Sequence, residues 1–409
     1  MILIFQTLDD KSQCVGVYCD GKLYFDEIPS NLSATWKYTG SIKNNEIEYA
    51  WIIAEGATLE QCCPDNLKPR YNKITTKMNA FYKSFKIAKI NLMDHCIFDL
   101  IPQDSLKEFC EVKNLITEHV INNYEKPDNY DFLDGAYKLV YDIREQRINA
   151  DIKNCRGMMT STNARLGIKK VMQASKHIDY NIFGTSTGRL ATLPNSFPIL
   201  TMKKDFRRCI KPQNDWFVSF DYNGAEVRTV LSMLGMGQPA GDVHEWNMNN
   251  IFHKKTISQN PSRDEAKVLF FGWLYNPDSE VIKNSIYDRD KIVEEHYIDG
   301  HVHTPFGRKI KIDKRRALSY TIQSTTSDLV IERAMAIKKI LENKKTFISH
   351  IMHDEIVLDL SDDERSILPE IKDIFSNNKM GKYEVNVSAG KNYYDMEYIH
   401  GLDLKNYLY

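Results

Sequence analysis

Residues 348–360 read ISHIMHDEIVLDL, two short apolar runs that flank His353, Asp354 and Glu355. Apolar runs of this length on either side of a polar pair are typical of two strands joined by a tight turn. Carboxylates next to buried strands are costly unless they are paired or bind a metal ion. The stretch therefore predicts a β-hairpin with His353-Asp354 at its tip. A salt-bridged turn without chemistry is the alternative for this stretch taken alone.

A second carboxylate lies in residues 216–234, WFVSFDYNGAEVRTVLSML. An apolar strand ends near Asp221, and a helical pattern begins at about Glu226. An Asp before a helix is more often an N-cap than a metal ligand. If the hairpin places Asp354 in the same cleft, the two Asp residues come from separate strands, which is a usual protein contribution to a pair of Mg²⁺ ions.

Residues 260–277, NPSRDEAKVLFFGWLYNP, predict a helix. Ser262 and Glu265 form a capping-box pattern, and Pro277 ends the helix. Four positions recur at four-residue steps, each displaced by about 40° around the axis: Arg263, Lys267, Phe271 and Tyr275. This stripe suits a ligand with phosphates near the helix N-terminus and a flat ring at the other end. The alternative is a surface helix with snorkelling Arg and Lys side chains.

Composition is that of an ordinary globular protein, with 42% apolar residues among 409 and a net charge of −1. No run approaches the roughly 18 apolar residues of a membrane helix, and no basic region precedes the first apolar run. Eight scattered cysteines without C-x-x-C predict buried or free thiols in a reducing compartment. The stretches KKDFRRCIK (203–211) and GRKIKIDKRR (307–316) predict a phosphate-binding face, with two solvated basic loops as the alternative.

The N-terminal part of the chain changes once from a strand pattern to a helical pattern. The first 55 residues are β-rich, with Asp20-Gly21 as a hairpin turn between the second and third strands. From about 76 to 175 the apolar residues recur at three- and four-residue steps, which predicts helices.

Taken in chain order, the three segments resemble motifs A, B and C of A-family, polymerase I-like DNA polymerases. DYNGAEVR is similar to motif A, RDEAKVLFFGWLY to the motif B helix of the fingers, and HDE to motif C. Five further segments are similar to the family: TSTGRLATLPN, GDVH, TPFGRK, RRALSYTIQSTTSDLV and VSAGKNYYDM. The resemblance covers roughly residues 181–396, about half of the chain.

The resemblance implies an α+β, right-hand polymerase fold with an antiparallel-sheet palm, helical fingers and a helical thumb. The implied divisions are a small β-rich N-terminal domain (1–75), a helical thumb (76–180), palm (181–231), fingers (232–300, with the motif B helix at 262–276) and palm again (301–409).

The resemblance also implies roles for individual residues. Asp221 and Asp354 are the expected metal ligands, with Glu355 supporting the site. The expected dNTP contacts are Arg263, Lys267, Phe271, Tyr275, Glu226 and His244, where Lys267 also acts as a catalytic proton donor and Glu226 excludes a ribose 2′-OH. For His244, a structural histidine is the alternative. The expected DNA contacts are Arg189, Arg315, Gln323 and His353.

The implied activity is template-directed extension of a primer 3′-OH with dNTPs, releasing pyrophosphate. The implied cofactor is two Mg²⁺ ions, for which Mn²⁺ can substitute. Expected partners are primer–template DNA and dNTPs, with no membrane, and any processivity or replisome partner left open. We expect a cytoplasmic monomer that serves phage or mobile-element replication or repair, in the bacterial host cytoplasm if phage-encoded.

The sequence departs from the family in places. Motif A usually reads DYSQIE, whereas Asn223 and Gly224 replace Ser and Gln here. Ser319 stands in place of an Asn, and Asn276 in place of a Gly. Near the N-terminus, Phe5-Gln6-Thr7 stands where a proofreading domain has the D-x-E of its metal site, and about 180 residues precede TSTGR. We therefore expect no 3′–5′ exonuclease, with residues 1–75 a remnant or an unrelated domain.

Two alternatives remain open at this point. A single-subunit RNA polymerase shares the palm, although Glu226 and HDE rather than HDS argue against it. A degenerate polymerase fold that serves as a DNA-binding or replisome protein is the other alternative, although the carboxylates and the motif B residues are all present.

Overall fold

The structure is a computed structural model, and it describes residues 2–11, 14–42, 46–92, 94–151, 153, 161–252, 261–282 and 285–399. The chain forms two compact units, Met1–Lys138 and Leu139–Tyr409. Among the described residues, no helix has both the length and the apolar character needed to cross a membrane.

The first unit is built on a five-stranded sheet in the order β3-β2-β1-β4-β5. Its strands are β1 (Ile4–Lys11), β2 (Cys14–Cys19), β3 (Lys22–Phe25), β4 (Ala34–Thr35) and β5 (Glu48–Tyr49). The first three strands are antiparallel, whereas β4 runs parallel to β1 and β5 parallel to β4. Asp20 and Gly21 both have positive φ between β2 and β3, so the predicted hairpin turn is confirmed.

Helices make up the rest of the first unit. They are α1 (Ala50–Ile53), α2 (Leu59–Cys62), α3 (Lys68–Ile87), α4 (Ile97–Leu100), α5 (Gln103–Asn123) and α6 (Tyr130–Glu145), which continues past Lys138. The predicted helical character is confirmed, but α3 begins eight residues before residue 76, with a proline in its first turn. Helix α5 packs with α3 and β1 and buries Val112, Ile116 and Val120.

A disulfide joins Cys14 to Cys96. The prediction of buried or free thiols is therefore wrong for this pair. The two residues meet because the segment before α4 lies against β1, where the Ile97 amide donates to Asp9 at 2.9 Å. A bridge across 82 positions leaves no spacing signal in the sequence. Cys19, Cys62, Cys63 and Cys110 are free and buried, as expected.

The second unit is centred on an antiparallel sheet in the order β14-β15-β10-β18-β19. The unit's strands are β6 (Asn149–Ala150), β7 (Tyr180–Asn181), β8 (Ala191–Thr192), β9 (Ile210–Lys211), β10 (Trp216–Tyr222), β11 (Tyr297–Ile298), β12 (His301–His303), β13 (Lys309–Lys311), β14 (Phe347–Met352), β15 (Glu355–Leu360), β16 (Asn377–Asn378), β17 (Gly381–Lys382), β18 (Val385–Gly390) and β19 (Glu397–Tyr398). The predicted hairpin is confirmed as β14 and β15, with His353-Asp354 between them.

The helices of the second unit are α7 (Thr162–Gln173), α8 (Ala225–Met233), α9 (Val243–Asn247), α10 (Arg263–Tyr275), α11 (Arg289–His296), α12 (Ala317–Ile340) and α13 (Leu368–Ser376). Ser262 and Glu265 form the predicted capping box at the start of α10. Phe270 and Trp273 of α10 pack in one apolar cluster with Val230 of α8 and Ile322 of α12. This face of α10 is buried. The stripe of Arg263, Lys267, Phe271 and Tyr275 lies on a neighbouring face of the helix and lines a cleft.

Candidate active site

A cleft of about 480 Å³ lies in the second unit. Several of the predicted site residues line it together: Asp221, Asp354, Glu226, His244, Arg263, Lys267, Phe271, Tyr275, Arg189, Gln323 and His353. Glu355 and Arg315 do not line it. The cleft therefore brings together predicted site residues that lie up to 165 positions apart in the sequence, between Arg189 and Asp354.

The floor of the cleft is the end of the central sheet. Asp221 on β10 lies opposite Glu355 on β15 and Asn386 on β18. Asp354 is held in the adjoining turn, where its carbonyl accepts a hydrogen bond from the Tyr222 amide at 3.4 Å. His353 supplies the positive φ of 58° that closes this turn.

Asp221 and Asp354 are both half-buried. Burial, followed by the charges of Asp354 and Glu355, raises the pKa of Asp221 to about 8. Burial also raises the pKa of Asp354. Oxygen ligands of this kind, held where a second negative charge is unfavourable, fit a hard divalent cation such as Mg²⁺. The donor set thus agrees with a metal site, and the neutralising charge would relieve the repulsion.

Glu355 is engaged elsewhere in the sheet. It accepts hydrogen bonds from the Ser219 hydroxyl and from the Tyr393 hydroxyl, the latter at 2.8 Å. Because of these hydrogen bonds, the Glu355 carboxylate lies next to the floor of the cleft but does not line the cleft. The geometry gives Glu355 a supporting position relative to Asp221 and Asp354.

Glu226 is held from two sides of the cleft. The Arg189 guanidinium donates to one carboxylate oxygen, and the Tyr275 hydroxyl donates to the other at 2.7 Å. Burial nevertheless raises the pKa of Glu226, and burial followed by the charge of Glu226 raises that of Tyr275 to about 12. Phe271 and Tyr275 stack with their ring centroids 6.0 Å apart. One end of the stripe is thus a pair of rings beside a fixed carboxylate.

The other end of the stripe is cationic. Arg263 donates to the Asp242 carboxylate at 2.6 Å. Burial acts to raise the pKa of Asp242, but hydrogen bonds from Arg263, from the Glu245 amide and from Asn223 outweigh it, so the pKa lies well below its usual range. Lys267 has no ion-pair partner within 4.0 Å in the part of the chain that the structure describes, and its ammonium is available to a ligand.

His244 is buried beside the cleft, 3% exposed. Burial, followed by the charge of Lys267, lowers the pKa of His244 to about 4, so the ring is neutral near pH 7. Its Nδ1 atom has no hydrogen-bond partner among the described residues. The ring lies 6.2 Å from that of Phe271.

The two departures from motif A meet His244 and its neighbours. Asn223 accepts the Val243 amide at 2.8 Å and donates to Asp242 at 3.1 Å. Gly224 has φ of +66°, and a Cβ there would lie 2.3 Å from a methyl of Val243. Both residues therefore let α9 approach the end of β10 closely.

Three of the four predicted DNA contacts line the cleft, and the fourth lies outside it. Gln323 on α12 and His353 line the cleft beside Arg189. Arg315 lies outside it, exposed and ion-paired with Asp278 at 2.7 Å. Within the basic stretch 307–316, Arg308 forms a largely buried ion pair with Asp328 at 2.7 Å. That arginine has a structural partner, and the phosphate-binding face predicted for the two basic stretches stays a prediction.

Sequence reasoning missed several polar residues of the cleft. Asn386 hydrogen-bonds Asp221, and its own amide oxygen accepts the Tyr398 hydroxyl at 3.0 Å. Asp242 and Asn223 position Arg263 and α9 as described above. A polar residue within the strand YEVNVSAG was the available signal for Asn386, but only the register of β18 against β10 shows that it faces Asp221.

The fold and the cleft define the class of the protein: the chain has the α+β fold of a polymerase I polymerase domain. The structure matches the POL domain of Pol1 from M. smegmatis, solved in complex with DNA primer-template and dNTP, with a TM-score of 0.63 and 11% identity over 96% of each chain. The predicted fold class is confirmed.

Two proteins that are similar in sequence to this chain are named as DNA polymerases. The chain is 23% identical over 355 residues to DNA polymerase I of Synechocystis sp., and 24% identical over 194 residues to the DNA polymerase of Mycobacterium phage D29. These alignments cover 71% and 36% of this chain, and the chain spans about a third of each relative, 34% and 32%. No family model matches the chain. The predicted resemblance to polymerase I-like DNA polymerases is confirmed.

Proposed function

We propose that the protein is a template-directed, DNA-dependent DNA polymerase that extends a primer 3′-OH with dNTPs. The observation that supports this most strongly is the composition of one cleft. Two half-buried aspartates, one at the end of a strand and one in a neighbouring hairpin turn, face a helix that presents two cations and two stacked rings. A nucleoside triphosphate has matching parts, with anionic phosphates at one end and a flat base at the other.

Asp221 and Asp354 would hold the divalent metal, two Mg²⁺ ions in our proposal, with Mn²⁺ able to use the same oxygen ligands. Bound there, the metal supplies Lewis-acid activation of the attacking hydroxyl and neutralises charge on the departing pyrophosphate. Glu355 stays in its hydrogen bonds to Ser219 and Tyr393 and supports the site from the sheet.

The helix α10 would bind and orient the nucleotide. Arg263 and Lys267 hold the triphosphate, and the free ammonium of Lys267 donates a proton to the leaving pyrophosphate. Phe271 and Tyr275 pack against the sugar and the base. Glu226, fixed by Arg189 and Tyr275, occupies the space of a ribose 2′-OH and so selects dNTPs. His244, neutral in its buried position, lies beside Lys267 at the phosphate end.

The primer–template duplex would contact Arg189, Gln323, His353 and Arg315. Contacts in the minor groove suit such a role because its acceptors are nearly the same for every base pair, so they test pair geometry without reading sequence. Helices of residues 76–180 would form the thumb.

We also propose that the protein has no 3′–5′ exonuclease activity. On β1, Phe5 and Thr7 stand where the D-x-E pattern would place its two metal-binding carboxylates, and Phe5 is fully buried. In the described part of the chain, the one group of three potential metal ligands that lie close together is Asp9, Cys14 and Cys96, whose two sulfurs are bonded to each other.

Primer extension by the wild type, Asp221→Asn and Asp354→Asn tests the proposal. Removing either ligand should lower kcat by about 10³-fold, because the metal supplies several kcal/mol of transition-state stabilisation. Asp363→Asn, which removes an exposed carboxylate of the same unit, is the matched control and should extend normally.

The same assay separates the alternatives. If the wild type binds primer–template but never extends it with Mg²⁺, the protein is a DNA-binding scaffold. If NTPs are used in preference to dNTPs, the protein is an RNA polymerase and the role of Glu226 is wrong. Degradation of the primer 3′ end without dNTPs would contradict the absence of an exonuclease.

The phage relative supports a role in phage or mobile-element replication or repair. We place the activity in the cytoplasm, which for a phage protein is that of the bacterial host.

A further inference from the structure

We propose that the exposed face of α3, in the first unit, binds single-stranded DNA through its phosphates. No residue of α3 belongs to the cleft, so this site goes beyond the proposed polymerisation chemistry. Residues 76–87 of α3 also fall within the proposed thumb, and the present proposal gives this helix a single strand rather than the duplex as its ligand.

The charge of α3 is of one sign. Its 20 residues contain six cations and no Asp or Glu: Lys68, Arg70, Lys73, Lys77, Lys83 and Lys86. Ile74, Met78 and Phe85 form the buried side of the helix. The cations therefore lie on the remaining surface, on a chain whose overall net charge is −1.

Only the N-terminal end of this face is neutralised. Lys68 pairs with Asp65 at 2.7 Å, and Arg70 pairs with Glu111 at 2.5 Å. Within the described residues, Lys73, Lys77, Lys83 and Lys86 form no ion pair, and all four are exposed. They cover thirteen helical steps, about 20 Å of axis. Unpaired ammonium groups spread over the exposed half of the helix, without a carboxylate among them, are complementary to a phosphate backbone.

An exposed ring favours a single strand over a duplex. Tyr82 is 38% exposed and lies one turn before Lys86, and its ring packs edge-on against Phe85 at 6.3 Å. Bases of a single strand have open faces that stack on such a ring, whereas a duplex hides them. Thr76 and Asn79 are also exposed on this helix, and both are uncharged.

The test measures fluorescence anisotropy of a labelled 30-residue oligothymidylate with the full chain at 50–200 mM NaCl. The variant replaces Lys73, Lys77, Lys83 and Lys86 by Gln, which keeps a good helix former at each position. The control replaces four cations outside α3 that already have carboxylate partners, Lys126, Lys138, Lys338 and Lys345. Both variants lose four positive charges, and thermal melting by circular dichroism shows whether each is folded.

We expect the first variant to bind at least about tenfold more weakly at 0.1 M salt, and its salt slope to fall by about 3, since each phosphate contact on a single strand contributes about 0.7. The control should change affinity less than about twofold. Tyr82→Ala should weaken binding by roughly five- to a hundredfold, the range for one base stacked on an aromatic ring.

Three outcomes would overturn the proposal. An equal loss of oligothymidylate affinity in the two four-site variants would mean that the lysines of α3 contact only solvent. Equal or greater loss for a 30-base-pair duplex would assign the face to duplex DNA. Loss of binding to vesicles containing phosphatidylserine, with oligothymidylate binding unchanged, would assign it to an anionic membrane. Because the readout needs no dNTP, it stays independent of whether Asp354→Asn abolishes extension.

Discussion

At the scale of single residues, the contacts of Glu226 explain why a carboxylate is tolerated in a mostly buried position. Arg189 supplies a compensating charge, and the Tyr275 hydroxyl fixes the second oxygen. A side chain held in this way has little freedom to move aside for an extra hydroxyl on the sugar.

Shortening Glu226 should therefore relax sugar selection. We expect Glu226→Ala to raise kcat/KM for NTPs by at least about tenfold relative to dNTPs, because the space of the 2′-OH becomes open. Single-turnover incorporation of matched dNTP and NTP measures the ratio. Glu370→Ala, at an exposed site in the first turn of α13, is the control. An unchanged ratio would show that another group excludes the hydroxyl.

Arg263 has a partner that a triphosphate must replace or share. Asp242→Asn removes the competing charge, and Asn can still cap α9. We expect the KM for dNTP to fall about fivefold with little change in kcat, since a partly exposed ion pair is worth about 1 kcal/mol. Steady-state kinetics with varied dNTP tests this. A higher KM would show instead that Asp242 holds Arg263 in the binding position.

At the scale of elements, the sequence predicted the helices and strands whose ends have signals in the neighbouring residues. The motif B helix was expected over 262–276 and forms over Arg263–Tyr275, because its capping box and Pro277 are local signals. The start of α3 was missed, since its first residues have no apolar periodicity. Asn386 was missed because strand register is not visible in a single sequence.

Gly224 connects two of these elements, β10 and α9. Gly224→Ala should lower the free energy of unfolding by about 1–3 kcal/mol, because the residue has positive φ and the added methyl would overlap Val243. We also expect a higher KM for dNTP, as α9 carries His244. Thermal melting and extension kinetics measure both. Gly237→Ala, where no atom lies within 4 Å of the added Cβ, is the control and should melt like the wild type.

At the scale of the whole molecule, the chain divides into its two compact units between Lys138 and Leu139, and the domain boundary expected after residue 75 stays a prediction. Periodicity predicted helices from 76 onward, but it does not show that α5 packs on the sheet of the first unit. The assignment of residues 76–180 as a thumb stays a prediction. The candidate site of the second unit was more accessible to sequence reasoning because three linear motifs contain most of its residues.

Acid should destabilise the second unit through His350. This ring is fully buried between Tyr393 and Phe217, and burial, followed by the charge of Arg207, lowers its pKa to about 3. The unfolded chain has a pKa of about 6.5, so this contribution to stability is complete above that pH. It is lost as the pH falls toward 3, by about 1.4 kcal/mol per unit.

We expect His350→Phe to lose about 2 kcal/mol less stability than the wild type between pH 6.5 and 4.5. Urea unfolding at several pH values measures the difference. His301→Phe, on the partly exposed strand β12, should keep the wild-type pH dependence. Identical acid dependence of His350→Phe and the wild type would show that His350 is not the group responsible.

The antiparallel register of β10, β15 and β18 has a consequence for how this chain can vary in nature. Asp221, Glu355 and Asn386 lie side by side only because the three strands pair in their present register. Inserting or deleting one residue in any of the three strands would send every later side chain to the opposite face. Natural variants should therefore accumulate substitutions in these strands but differ in length elsewhere, as in the loop 235–241. A set of aligned homologues with gaps inside β10 would contradict this.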